Sequence, residues 1–317
     1  MRFRRYLGSL VLLLCITLSM LVAAPAEAYQ PVIFDGHVHS EYSREGNFTR
    51  DRTLEDIGAD LHATFLGIPV VGCLTDHSDV VTKRLWGIYP LKWRYVLTPE
   101  LWTARQDDIG RLSTQYTFLP GEEVTFGRTG DGLEEHGHLL VYGLNEMVSI
   151  PFEEPLDLEP DPNQPGAWLL PESVWEGNPP RKDVRSILNT LPYGATGYIA
   201  HPNGSGPSRQ DQWTDYAWAA SDRYIGGKNG LIKGMEILSA GGDHTVQYIG
   251  LQKSSAWSQW ESKLASGRNM FVIGGSDSHG PAFYPQIGSS FTYLLLDDNE
   301  IHGTKTTSLI PYAAAMP

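Results

Sequence analysis

Cysteine is nearly absent from this chain. Its 317 residues hold two, Cys15 and Cys73. Cys15 lies in the apolar stretch described next, so the rest of the chain holds one cysteine and no intrachain disulfide. A structural zinc site of the four-ligand cysteine type is excluded on the same count. Cys73 sits in an apolar run and reads as a small core residue. Basic residues are also scarce, 24 Lys and Arg against 37 Asp and Glu, for a formal charge of −13. That balance disfavours nucleic acid or anionic lipid as the main partner. There is no Gly-x-Ser-x-Gly elbow and no Walker loop, so neither a serine hydrolase nor a P-loop enzyme is expected. Internal repeats and low-complexity tracts are missing too.

Long apolar runs are limited to one, at the start. Arg2, Arg4 and Arg5 precede an apolar stretch from Leu10 to Ala24, and Ala26-Glu27-Ala28 forms a small-x-small site. This is the layout of a secretory signal peptide over residues 1–28, with the mature chain starting at Tyr29. The apolar core is shorter than the ~20 residues that span a bilayer, so no membrane span is expected after cleavage. A lipoprotein signal at Cys15 is disfavoured by Leu14, where a small residue belongs. The expected location is secreted or periplasmic. Removal of the segment takes three arginines and Glu27, leaving the chain more acidic still.

Residues 29–317 suit a single domain with a sizeable core. Strands are expected at Pro31–Phe34, Pro69–Leu74, Thr117–Leu119, His138–Tyr142, Tyr198–Ala200, Met235–Leu238, Phe271–Ile273 and Phe291–Leu296. Helices fall between several of them. Thr53 to Leu66 opens with a capping-box-like Thr53 and Asp56, and Leu54, Ile57, Leu61 and Phe65 share one face. A second helix starts at Thr98-Pro99, a third runs from about Lys182 to Thr190, and Ser254 to Ser266 ends at Gly267. The alternation predicts an α/β fold with parallel strands. Two insertions interrupt it. Residues 145–180 are rich in Pro and acids, and 203–230 in Gly, Trp and Tyr. Loops this long are functional or decorative. The aromatics Trp213, Tyr216, Trp218 and Tyr224 suit either a pocket wall for an apolar substrate group or the core of a small lid.

Most of the histidines follow an apolar strand-like run, often beside an acid. In order these are Asp35-Gly36-His37-Val38-His39, Thr75-Asp76-His77, Gly121-Glu122-Glu123, His136-Gly137-His138, Ala200-His201-Pro202, Glu236, and Gly275-Ser276-Asp277-Ser278-His279. Side chains two apart on a strand point the same way, so His37 and His39 can converge on one cation. Glu123 and Asp277 are hard anionic ligands able to bridge two. In parallel α/β folds strand ends face one crevice, which would gather these seven pieces. Imidazole with carboxylate suits zinc, iron or manganese. His62 and His302 read as ordinary surface or core residues, and His136 and His244 remain open.

The ordered set resembles the PHP (polymerase and histidinol phosphatase) superfamily, from about Phe34 to Gly280. His37 and His39 match its His-x-His, and Thr75, Asp76 and His77 its Thr-Asp-His. Gly121 and Glu123 match Gly-x-Glu, His138 the His before an apolar strand, His201 the Ala-His-Pro, and Asp277 and His279 the closing Asp-x-His. The resemblance implies a distorted (β/α)7 barrel with the metal site at the C-terminal strand ends, and two or three divalent cations. His37, His39, Glu123 and Asp277 would hold the first. Glu123 would bridge to a second, completed by His138 and His201. His77 and His279 would hold a third. The family's further ligand there, often Asp in Ser-Asp-Gly, falls at Ser43-Arg44-Glu45-Gly46, where Glu45 is the candidate and Arg44 can instead meet an anionic substrate. His279 or His77, where not used as ligands, would protonate the leaving group. Asp76 would orient a ligand histidine, and Glu236 would support the site or serve structure alone. The implied activity is metal-dependent hydrolysis of a small-molecule ester, in the family most often a phosphoester. A branch similar to carbaryl hydrolases cleaves carbamate or aryl esters on the same centre. A non-catalytic periplasmic metal-binding protein is the reading from another class.

Overall fold

A computed structural model describes residues 30–43, 52–81, 94–97, 99–128, 135–148, 159–160, 168–169, 182–202, 213, 215–226, 230–239, 255–279 and 291–296. The strands are β1 (Gln30–Val38), β2 (Val70–Leu74), β3 (Asp79–Val81), β4 (Arg94–Val96), β5 (Thr117–Arg128), β6 (Glu135–Tyr142), β7 (Glu159–Pro160), β8 (Trp168–Leu169), β9 (Thr196–Ile199), β10 (Ile232–Ser239), β11 (Phe271–Gly275) and β12 (Thr292–Leu296). The helices are α1 (Leu54–Thr64), α2 (Pro99–Leu112), α3 (Val184–Thr190), α4 (Asp215–Ser221) and α5 (Ser255–Ala265). Residues 1–28, which carry the expected signal peptide, lie outside the described set. Among the described residues no helix is long and apolar enough to cross a membrane.

The large sheet runs β11-β10-β9-β6-β5-β2-β1-β12. Its seven strands from β11 to β1 curl until the ends meet. Asp277 N–H donates to His37 O at 2.7 Å and His39 N–H to Ser278 O at 3.1 Å, and Val38 bridges Ser278 in parallel. The result is a nearly closed, distorted barrel of seven strands with helices outside it, and β12 added to the outer edge of β1. All eight expected strands are present. One expectation is corrected: the strands are not all parallel. β6 runs antiparallel to both β5 and β9, and β12 runs antiparallel to β1. The reason is local. β5 and β6 are joined by a connection too short for a crossover helix, so they form a hairpin.

Helix boundaries follow their caps. Thr53 accepts from Asp56 N–H while the Asp56 carboxylate takes the Thr53 N–H, the full capping box. Leu54, Ile57 and Leu61 are buried, and Gly58 admits the Tyr116 ring where a Cβ would lie 2.4 Å from it. Pro99 is the first residue of α2, Asp183 caps α3 by accepting from Ser186 N–H at 2.7 Å, and Gly267 follows α5 at φ 81°.

Two apolar clusters form. One lies between the barrel and its helices, around Leu54, Leu74, Phe118, Leu139, Ile187 and Ile232. The other fills the barrel, with Val32, Phe34, Cys73, Leu119, Leu140, Tyr142 and Tyr198. Burial on both faces accounts for the near-continuous apolar run of β2, and β9 is likewise buried along its whole length. Cys73 is fully buried, and burial pushes its thiol well up, so it is a core residue.

A small second sheet, β3-β4-β8-β7, is antiparallel throughout. The sequence pattern did not announce it, because its strands are two or three residues long. β3 begins two residues after His77, and Leu97 N–H donates to Ser78 O at 3.1 Å. Part of the 145–180 insertion thus enters the fold through β7 and β8.

Candidate metal centre

Six chain-distant segments deliver imidazoles and carboxylates to one mouth of the barrel. β1 supplies His37 and, just past its end, His39. His77 follows β2, His201 follows β9, and Asp277 and His279 follow β11. Glu123 and His138 come from the interiors of β5 and β6 rather than from strand ends. Pairing of β5 with β2 stops at Pro120, and the β5–β6 hairpin continues upward, so these two residues still stand at the mouth. Register shifts interrupt β1 against β2 between Asp35 and Val38 and β10 against β11 between Glu236 and Leu238. Such irregularities re-aim side chains beside sites.

At the floor, His37 Nε2 stands 3.0 Å from His39 Nε2, 3.1 Å from Glu123 Oε2 and 3.4 Å from Asp277 Oδ1. His39 Nε2 is 3.2 Å from each of the same oxygens. Ligands ~2.1 Å from one cation stand about 3.4 Å apart in tetrahedral geometry and about 3.0 Å apart in octahedral geometry. The four donor atoms therefore fit around one ion. A second group surrounds the other oxygen of Glu123. Its Oε1 is 2.6 Å from His138 Nδ1 and 3.0 Å from His201 Nε2, and these nitrogens are 3.3 Å apart. His39, His77 and His279 form a third group, with the His39 ring stacked 4.6 Å from His77 and 4.1 Å from His279. His77 Nδ1 also lies 3.1 Å from Glu123 Oε2. Glu45 and Arg44 lie outside the described residues. His37, His39, Glu123 and Asp277 are buried, whereas His77, His138 and His279 are partly open.

Support from beneath sets the tautomers. Glu236, fully buried, reaches His37 Nδ1 at 3.3 Å and accepts from His201 N–H at 2.9 Å. An ionised carboxylate only accepts, so His37 carries hydrogen on Nδ1 and turns its Nε2 lone pair to the cluster. His39 Nδ1 is 2.9 Å from Ser43 Oγ, which also accepts His77 N–H. His279 Nδ1–H donates to Asp277 O at 2.8 Å, leaving Nε2 as its lone-pair nitrogen. Gly275 has no room for a side chain: a Cβ there would lie 2.4 Å from His37 Cβ and 2.7 Å from Glu236 Oε1. Gly36 is bounded by Phe34 and by Tyr142, whose hydroxyl donates to Gly36 O at 2.6 Å.

The electrostatics call for cations. Lone-pair nitrogens face carboxylate oxygens, and Asp277 Oδ1 has no hydrogen-bond partner although buried. Asp277 also adopts φ 48°, the one non-glycine residue in the left-handed region among those described. Strain of this kind concentrates at functional sites. Without a cation, only protons can balance the charge. Burial would lower the His37 pKa, but Asp277, Glu123 and Glu236 outweigh it and hold His37 well above its ordinary value. His201 is pushed up to about 9 by Glu123 against the same burial penalty. Burial would raise the Glu123 and Asp277 carboxyls; the surrounding histidines hold both far down. Residues with these donor types and spacings fit divalent cations.

Several sequence expectations change here. Asp76 does not bond a histidine. Its carboxylate accepts from Ser40 N–H at 2.6 Å and from Arg105 Nη1–H at 2.8 Å. Its sequence neighbour His77, not its side chain, enters the cluster. Trp213, read as a pocket wall or lid core, is a core residue against Phe126, and its indole N–H donates to His138 O at 2.8 Å. Arg105 and Tyr142 had no sequence signal, being an arginine in a helix and a tyrosine in a strand; Ser43 stood in the stretch matched to Ser-Asp-Gly, but only as the neighbour of the expected ligand, and it closes a single 3-10 turn. His62 lies on α1 against Tyr116, away from the site. His136 pairs with Gly127 in the hairpin, and His244 and His302 fall outside the described residues.

Fold and site together define a nearly closed α/β barrel bearing a multidentate imidazole–carboxylate centre at one mouth. No protein-family model matches the chain, and no curated protein does. Among solved structures it is similar to a two-domain protein from Bacteroides vulgatus containing a predicted PHP-like metal-dependent phosphoesterase. The identity is 14% and the TM-score 0.43, over 90% of this chain and 63% of that one. It is also similar, at 14% identity and a TM-score of 0.45, to a Bifidobacterium adolescentis protein assigned by inference as a metal-dependent phosphoesterase. That match covers 88% of this chain and 96% of the other. Likenesses at this level carry no functional weight, and the site is read from its own geometry.

Proposed function

We propose that this protein is an exported metal-dependent phosphoesterase acting on a small-molecule ester with two or three divalent cations, zinc, manganese or iron. The observation that carries the reading is Glu123. Its two carboxylate oxygens each face a separate set of imidazoles, Oε2 with His37 and His39, Oε1 with His138 and His201. One carboxylate shared by two donor groups is the arrangement of two-cation centres, which suit in-line displacement at phosphorus. The order of motifs resembling PHP proteins supports the same class.

Divalent cations held there would acidify a water to ionise near neutral pH and offset charge developing on the phosphoryl oxygens. The protein's own groups do the rest. His37, His39, Glu123 and Asp277 fix the buried floor. Glu236 and Ser43 lock two imidazoles with Nε2 inward. With only two cations bound, so that His279 and His77 do not serve as ligands, either can deliver a proton to the leaving oxygen from the partly open rim. Low water access at the floor strengthens each of these interactions.

Turnover of p-nitrophenyl phosphate, its diester analogue, an aryl ester and an aryl carbamate should be measured with Mn²⁺, Zn²⁺ or Fe²⁺, with and without chelator. Phosphoester cleavage that stops with chelator is expected. Chelator-insensitive cleavage would sink the metal reading, and cleavage of the carbon esters alone would move the bond from phosphorus to carbon. Metal binding with no turnover of any ester would leave a carrier. Export is supported by the three-part layout of residues 1–28, and N-terminal sequencing of the exported protein should begin at Tyr29.

A further inference from the structure

We propose that Arg105 is a positioning residue that holds three ligand-bearing segments of the metal centre in register; this rests on the metal-dependent reading above. Arg105 lies on α2, outside the barrel wall, and is fully buried. Its planar fork is split between the segment just past β2 and the interior of β5. Nη1–H donates to Asp76 Oδ2 at 2.8 Å, and Nη2–H donates to Gly121 O at 2.7 Å. The Trp102 ring covers the guanidinium, 4.3 Å from Cζ.

Each bond ends beside a ligand. Gly121 is two residues before Glu123. Asp76 is one before His77, and its backbone carbonyl accepts Glu123 N–H at 3.1 Å. Its carboxylate receives both the N–H and the hydroxyl of Ser40, the residue after His39. One cation therefore ties the segments carrying His39, His77 and Glu123 through bonds of 2.6–3.1 Å.

Two alternatives fit less well. A buried ion pair is seldom the most stabilising way to fill such a space, since apolar residues of equal volume do as well or better. Stability alone thus does not account for this one. Nor is Arg105 placed to meet a substrate anion, since the fork is committed to Asp76 and Gly121 and fully covered. Lysine carries the charge but not the fork, and cannot donate in the same plane to both segments.

The test is metal binding by the full mature protein stripped of cations. Mn²⁺ is titrated calorimetrically into wild type, Arg105→Met, Arg105→Lys, Ser40→Ala and Arg111→Met. Arg111 is an exposed residue of the same helix and serves as the control. The visible spectrum of each Co²⁺-loaded protein is recorded beside it. Arg105→Met should bind Mn²⁺ roughly 10–100-fold more weakly, as losses behind metal ligands typically do, with an altered Co²⁺ spectrum. Arg105→Lys should fall between that and wild type, Ser40→Ala should weaken binding less, and Arg111→Met should match wild type. A folded Arg105→Met with wild-type affinity and spectrum overturns the proposal. If that variant fails to fold, wild-type affinity in both Arg105→Lys and Ser40→Ala overturns it equally. Absence of Mn²⁺ binding by the wild type would instead remove the metal reading itself, and this proposal with it.

Discussion

Replacing Glu123 with alanine should strip cations from the metal centre, to at most one per chain, and destabilise the cation-free protein together. Five imidazole nitrogens lie within 2.6–3.2 Å of its two oxygens. In the cation-free state the carboxylate neutralises the protons that it helps to hold on His37 and His201. Removing one partner of a buried charged set costs about 3–5 kcal/mol. At about 2–4 °C per kcal/mol, the melting temperature should fall by roughly 6–20 °C. In the loaded state both donor groups lose their shared ligand, so bound metal should drop to at most one ion per chain. Phosphoester turnover should drop by at least about three orders of magnitude, the scale of losing a main electrostatic element. Elemental analysis of the dialysed protein and calorimetry with and without Mn²⁺ read the two effects. Glu123→Gln keeps the shape but not the charge, so it should lose the metal and much of the same stability. Wild-type metal content in Glu123→Ala would refute the shared-carboxylate assignment outright.

Three further outcomes are expected. His201 has its folded pKa raised to about 9 from 6.5, so its contribution is full below pH 6.5 and lost as pH rises through about 9. Cation-free protein should therefore lose about 3 kcal/mol across that window, while Mn²⁺ affinity rises and proton release on binding falls; a flat cation-free melting curve from pH 6.5 to 9 would contradict this. Glu236→Gln should weaken Mn²⁺ binding about 10–100-fold by loosening His37 and His201, measured by calorimetry, with unchanged binding counting against the tautomer assignment. Thr53→Ala removes the α1 cap and should cost about 1 kcal/mol, or about 2–4 °C, with turnover and metal content unaltered.

The candidate site was legible for a covalent reason. His37 and His39, Thr75 to His77, Ala200 to Pro202 and Asp277 to His279 each follow an apolar strand, and period-2 geometry tells which neighbours share a face. Alternation puts Glu122 and Glu123 on opposite faces but does not choose between them; the Gly-x-Glu resemblance pointed to Glu123, and in the structure Glu122 points away to accept Val148 N–H at 2.8 Å. Asp76 marks the limit. Its position beside a ligand histidine was visible, but its bonds run to Ser40 and Arg105, which are 36 and 29 residues away.

By itself the sequence determined the strands, the helix caps and the ligand types, because these rest on periodicity and on local hydrogen bonds within a few residues. Only the tertiary structure decided the direction of β6, the closure of β1 on Ser278, and the small sheet beside His77. It alone decided the supporting roles of Glu236, Arg105, Ser43 and Trp213. Those depend on where distant segments meet, and a buried arginine or serine looks the same in a sequence whether it braces a metal centre or a plain core.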